Sequence, residues 1–137
     1  MKMTNDEYKE FAGQHAPRSR AGRNMLRAFV SGGAICAVGQ ALTDLYISLG
    51  MEMDRACAAC SVTLIFIGAL LTGLGVYDDM ARFSGAGTLV PITGFANSVV
   101  APAIEYKTEG MILGTAAKMF IISGPVIVYG ISSGVIY

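Results

Sequence analysis

The chain has 137 residues, enough for one domain, of which 53% are apolar and only 15% charged, with ten basic side chains balancing ten acidic ones. Soluble domains carry roughly 25% charge, so this composition argues against a soluble core. The even balance says nothing about nucleic acid by itself, and there is no basic domain of the kind such a partner requires.

Six of the ten basic residues, Lys2, Lys9, Arg18, Arg20, Arg23 and Arg27, fall within the first 27 positions. Residues 3 to 15 read MTNDEYKEFAGQH. Thr4 and Glu7 have capping-box spacing, and Met3 and Tyr8 stand where a hydrophobic staple would put them. Tyr8, Phe11, Ala12 and His15 share one helical face, and Pro17 ends the pattern. This predicts a short amphipathic helix at a membrane surface. His15 is the sole histidine and by itself supports neither a metal site nor a proton relay. The cluster PRSRAGRNMLR follows and, by the positive-inside rule, sets the amino terminus in the cytoplasm.

Four apolar runs come next. Residues 28 to 50 hold one charge, Asp44; residues 56 to 77 and 83 to 104 hold none; residues 110 to 137 hold one, Lys118. Each reaches the roughly 20 residues that a helix needs to cross about 30 Å of hydrocarbon. A secretory signal peptide does not fit, because its apolar region is shorter and lies nearer the start. The expected fold is an all-α membrane protein with about four hydrophobic helical segments, the third broken or re-entrant, and a short amphipathic N-terminal helix. Residues 1–24 are expected to form a cytoplasmic amphipathic and basic segment, and 25–137 a polytopic transmembrane domain.

In the first run Gly32, Cys36, Gln40 and Asp44 recur every four residues, a small and polar stripe that should face other helices or water. Asp44 is also near enough to the end of the run to sit among headgroups. In the second run Ser61, Gly68, Thr72 and Gly75 lie near one face, as close helix packing favours. The CAAC of Cys57 and Cys60 has no second pair and no histidine nearby, so buried packing is the expected role rather than zinc or redox chemistry. Asp78 and Asp79 read as a solvated turn.

The third run, GAGTLVPITGFANSVVAPAIE, carries Pro91, Gly94, Asn97 and Pro102. Proline removes a backbone donor, and glycine and asparagine weaken a helix. In hydrocarbon, irregular backbone is tolerated only where protein or a water-filled cavity covers it. The break is therefore expected around Gly94 to Asn97, exposing backbone dipoles of the kind transporters use, with a simple proline kink as the alternative. In the fourth run Lys118 lies roughly 12 Å past Gly110 along the helix. It faces either a polar interior, with Glu105 or Asp44 as partner, or snorkels to the interface. There is no nucleophile with its base, no phosphate loop and no metal cluster, so neither an enzyme nor a cofactor is expected.

The stretches LIFIGALLTGLGVYD (64–78), GAGTLVPITGFANSVVAPAIE (85–105) and EGMILGTAAKMFIISGPVIVYG (109–130) strongly resemble the stage V sporulation protein AC and AEb family of spore-forming bacteria. RAFVSGGAICAVGQ (27–40) and the N-terminal extension look more like the AC branch, whereas residues 50–60 depart most from the family. The resemblance implies a subunit of the SpoVA complex in the spore inner membrane, which moves dipicolinic acid, chelated with calcium, in sporulation and germination. It also implies a channel made with a SpoVAEb-type membrane paralogue and closed by a SpoVAD-type soluble partner, and for the AC branch a proposed mechanosensitive opening. Joined to the residues, it suggests a path of Lys118, Asn97, Gly94 and Pro91, with Glu105 at a mouth and Gln40 and Asp44 on the first span. A structural scaffold anchoring the soluble partner and a stand-alone transporter are the competing expectations.

Overall fold

The computed structural model describes Thr4, Phe11 and residues 20–137. Apart from Thr4 and Phe11, the expected amphipathic helix over residues 3 to 15, with His15, lies outside the described residues. Among those described there are five α-helices: α1 (Ala21–Ser48), α2 (Met53–Gly73), α3 (Val76–Ser84), α4 (Pro91–Glu105) and α5 (Phe120–Ile136). Tight 3-10 turns occupy Gly85–Thr88 and Lys107–Glu109, and a wider π-helical stretch, Met111–Ala116, leads into α5. No strand occurs among the described residues.

The chain reverses where glycine permits it. Gly75, at φ 75°, separates α2 from α3, and Gly110, at φ 102°, separates the second 3-10 turn from the π-helical stretch. A side chain at either position would be strained by its own carbonyl.

Three helices are long and apolar enough to span a bilayer: Ala21–Ser48, Met53–Gly73 and Met111–Ile136. The expected count of four is thus met by three. The third run does not form one long helix. It is interrupted between Ser84 and Val90, and its helical part, α4, has 15 residues. At ~1.5 Å per residue that is about 22 Å, short of the ~30 Å hydrocarbon core. The break also falls earlier than expected. Gly94 and Asn97 lie within continuous α-helix, and Pro91 is its first residue, where a missing N–H costs nothing.

The contacts of α4 set its direction. Gly68 of α2 lies against Thr93 and Ala96, Thr72 meets Asn97, and Asp78 shares a cavity with Glu105. Numbers rise together, so α4 runs parallel to α2. Its far end, Val90 and Ile92, stands beside Gly39 and Cys60, well up the bundle. The chain reaches that point alongside α1: Gly87 packs on Ala28, Ser31 and Gly32. Segment 84–105 therefore starts and finishes at one end of the bundle, the end that holds Arg27, Gly73 and Glu105. We call this the basal end and the opposite one apical.

The irregular part of this excursion is tightly covered. The Tyr77 hydroxyl donates to the Thr88 carbonyl (2.8 Å, buried), and the Thr88 hydroxyl donates to the Gly85 carbonyl (3.1 Å). At the apical end Tyr46 and Thr63 hydroxyls pair at 2.7 Å, and the Cys60 thiol reaches the Gly39 carbonyl at 3.2 Å, tying α1 to α2. The CAAC pair is accordingly split, with Cys60 buried in this helix contact and Cys57 exposed. The buried apolar core is thin, comprising Ala56, Cys60, Leu64, Tyr77 and Ala96. Large apolar side chains point outward instead, among them Phe29, Phe66, Ile112 and Val135. Such a surface suits lipid or neighbouring helices, not water.

A methyl group at Gly87 would stand 2.6 Å from the Ala28 carbonyl oxygen and 3.0 Å from its Cα, both backbone atoms, whereas one at Gly33 would meet nothing within 4 Å. Gly87→Ala should force the excursion off α1 and cost about 1–3 kcal/mol, by the usual scale of overpacking. Gly33→Ala should be neutral or favourable by up to about 1 kcal/mol through helix propensity. Thermal denaturation of the two detergent-purified variants against the parent checks the contrast.

Candidate functional site

Polar side chains follow the seam that α4 makes with its neighbours. At the basal end a cavity of about 280 Å³ is lined by Thr72, Asp78, Asn97 and Glu105, with Ala81, Ala101 and Ile104. Asp78 is held on its rim by an exposed ion pair with Arg82 (2.8 Å), one turn along α3. Behind it the Thr72 hydroxyl donates to the Gly68 carbonyl (2.7 Å) and stands 2.9 Å from the Asn97 side-chain oxygen. One turn further up the seam is Thr93, 6% exposed, whose hydroxyl has no hydrogen-bond partner. A buried unsatisfied hydroxyl costs roughly 1–3 kcal/mol.

Above Thr93 a second cavity of about 310 Å³ opens toward the apical end, where Gln40, Thr43, Ser61, Cys36 and Cys57 line it together with Val90 and Ile92. The amino-terminal end of α4 meets this cavity. The first turn of a helix offers N–H groups without intrahelical acceptors and the positive end of the backbone dipole. The wall between this cavity and a third, apolar one of about 300 Å³ between α1, α2 and α3 consists of Ile35, Leu64 and Thr93.

The residues singled out from sequence fall into three groups. Asn97 and Glu105 lie together on the basal cavity. Gly94 and Pro91 belong to the start of α4. Gly94 is there because a side chain would meet the Thr88 carbonyl oxygen at 2.8 Å, whereas Pro91 is exposed. Gln40 lines the apical cavity and donates to the Asp44 carboxylate at 2.8 Å, with both side chains exposed on α1.

Lys118 stands apart, half-buried between the π-helical stretch and α5. Its ammonium lies 4.8 Å from the centroid of the Tyr106 ring, a cation–π contact. It forms no ion pair with Glu105 or Asp44, the two partners considered for it. Helical side chains lean toward the amino terminus of their helix, and this one reaches back to the basal end of α4.

Sequence reasoning passed over Thr93 and Tyr77. Thr93 is an isolated hydroxyl inside an apolar run, and only the packing of Gly68 against it reveals its burial. Thr72 packs in the α2–α4 contact and Asp78 is solvent-exposed, as expected, and both also border the basal cavity. Among the described residues no group of three or more His, Cys, Asp or Glu side chains is placed to hold a metal ion.

The fold defines an all-helical, polytopic membrane protein with Thr72, Thr93 and Asn97 in the seam between α2 and α4. The chain belongs to the SpoVAC/SpoVAEB sporulation membrane protein family, whose model matches residues 24–137. It is 46% identical over 132 residues to stage V sporulation protein AC of Bacillus subtilis (strain 168), an overlap covering 94% of this chain and 88% of that protein. No solved structure matches it.

Two substitutions separate the roles of the buried hydroxyls. Thr93→Val removes an unpartnered group at nearly constant volume and should leave stability unchanged or raise it by about 1 kcal/mol. Tyr77→Phe strands the Thr88 carbonyl and should lower stability by about 1–3 kcal/mol. Denaturation in detergent, followed by circular dichroism, reads both.

Proposed function

We propose that this protein is a channel subunit of the SpoVA complex that moves dipicolinic acid, as its calcium chelate, across the spore inner membrane during sporulation and germination. The observation that carries this reading is segment 84–105, an excursion that enters and leaves the bundle at its basal end with a short helix on the return. Irregular backbone at membrane depth is found where it borders a cavity, and discontinuous helices that point their amino termini at such a cavity hold anionic groups in transporters. The apical cavity, with Gln40, Thr43 and Ser61 around the start of α4, offers polar contacts for a carboxylate. The basal cavity, with Asp78 and Glu105, offers acceptors for calcium. Asn97, Thr72 and Thr93 lie between them.

In this reading the excursion is re-entrant, the amino terminus is cytoplasmic, and the basal end faces the cytoplasm. The arginines before and at the start of α1 support that orientation. Three full crossings then carry Tyr137 to the opposite side. Lys118, drawn back over Tyr106, serves the basal mouth rather than the middle of the path. A SpoVAEb-type membrane paralogue and a SpoVAD-type soluble protein complete the assembly, and membrane tension is the trigger we assign to opening. The wide outward-facing apolar surface of α5 supports assembly with other membrane helices.

Reconstitution tests the reading. Liposomes containing this chain with its membrane paralogue should release calcium dipicolinate down its gradient, faster under osmotic tension, and Asn97→Leu should slow release about tenfold. Absence of flux would favour a scaffold that only anchors the soluble partner. Dependence on an ion gradient would favour a stand-alone transporter.

The topology has its own check. In a background where Cys36, Cys57 and Cys60 are replaced, Tyr137→Cys should react with a membrane-impermeant thiol reagent added outside intact protoplasts. Labelling only after lysis would overturn the re-entrant arrangement.

A further inference from the structure

We infer that the cleft between α1, α2 and α3 is a binding site for one anionic phospholipid, with its headgroup at the basal end and an acyl chain running up α1. Two adjoining cavities carry the inference. The first, about 340 Å³, lies at the basal end and is lined by Arg27, Arg82, Asn24, Phe83 and the backbone of Gly85 and Ala86. The second, about 300 Å³, is the apolar cleft, walled by Ile35, Val38, Leu64, Ile67, Leu71 and Met80. They share Ser84, which is buried at their junction.

Charge and depth both match such a lipid. The two guanidinium groups are the charged side chains on the first of these cavities. Arg27 is held over the Phe83 ring at 4.7 Å and forms no ion pair among the described residues. Arg82 is paired with Asp78, but that carboxylate lines the neighbouring polar cavity, not this one. Arginine presents five donors, so one carboxylate does not exhaust it, and basic pockets between membrane helices bind anionic headgroups. From this charged mouth the cleft follows one face of α1 through Ser31, Ala34, Ile35 and Val38. Arg27 to Val38 is eleven residues, or roughly 16 Å, which is close to one leaflet of an about 30 Å hydrocarbon core. A free anion would use only the mouth, and a neutral lipid would use only the cleft.

The test uses the full-length chain purified in mild detergent, with native mass spectrometry reading retained phosphatidylglycerol against phosphatidylcholine. The parent should retain phosphatidylglycerol about tenfold better. The Arg27→Gln, Arg82→Gln double variant should lose that preference, and Arg55→Gln, at the far end of α2, should keep it. A phosphatidylglycerol carrying a photoreactive acyl chain should label peptides containing residues 31–38 or 64–71 of the parent, which bears on the site without any variant. Equal retention of both lipids, an unchanged preference in the double variant, or labelling confined to α5 would overturn the inference. So would displacement of the lipid by glycerol 3-phosphate alone, which would reduce the site to a free-anion pocket.

Discussion

Main-chain polar groups taken out of water need partners, and the rest of this structure depends on how residues 84–90 meet that requirement. Here the chain has no continuous ladder of helical hydrogen bonds to rely on. It is sheltered instead by close approach to α1, where Ala28 and Gly32 face Gly87, and by the Tyr77 hydroxyl, which caps the Thr88 carbonyl. Small residues on both sides make this possible. The attraction between membrane helices is mostly van der Waals packing and interhelical hydrogen bonding, and both demand near contact. The excursion is therefore built as an inlay in the α1–α2 pair, with glycine as the fitting surface.

From that inlay follow the polarity of α4 and the seam beside α2. A chain that climbs along α1 and returns along α2 must bring its helix back parallel to α2, and this sets Thr93 and Asn97 against Gly68 and Thr72. Had residues 83–104 crossed as one helix, the same side chains would be spread along its full length, and the start of α4 would lie at a surface. Parallel return instead leaves the amino terminus of α4 bordering the cavity lined by Gln40, Thr43 and Ser61. The proposed conduit rests on that placement.

Much of this was legible in the residues. Long charge-poor runs identify spanning helices because the energetic penalty for charge in lipid is large, and three of the four runs form helices of spanning length. The interruption in the remaining run was also readable, but its location was not. A proline in an apolar run signals a break, whereas Pro91 starts a helix; the same ring that disrupts an interior turn is well suited to the first. Asn97 and Gly94 are weak points by propensity along the chain alone, while tertiary packing accommodates both inside α4. Lys118 illustrates another limit. Counting the rise from Gly110 fixes the depth of its Cα, but the ammonium lies a side chain's length away, over Tyr106. Thr93 carried no local signal, because its significance comes from a glycine twenty-five positions earlier.

The wide turn at Met111–Ala116 bears on how the last helix is aimed. There the Thr115 N–H reaches the Gly110 carbonyl, five residues back, at 2.9 Å, and regular spacing resumes by Met119. An α-helix advances by about 100° with each residue, since it holds 3.6 per turn. A loop of surplus chain at its base thus acts as an angular offset for everything beyond it, deciding which stripe of α5 looks back at α4 and which looks away. Ser123, completely covered, marks the inward stripe. Excising one residue from the offset would rotate the outer barrel of the helix by more than a quarter circle, presenting a different set of side chains to whatever surrounds the protein in the membrane.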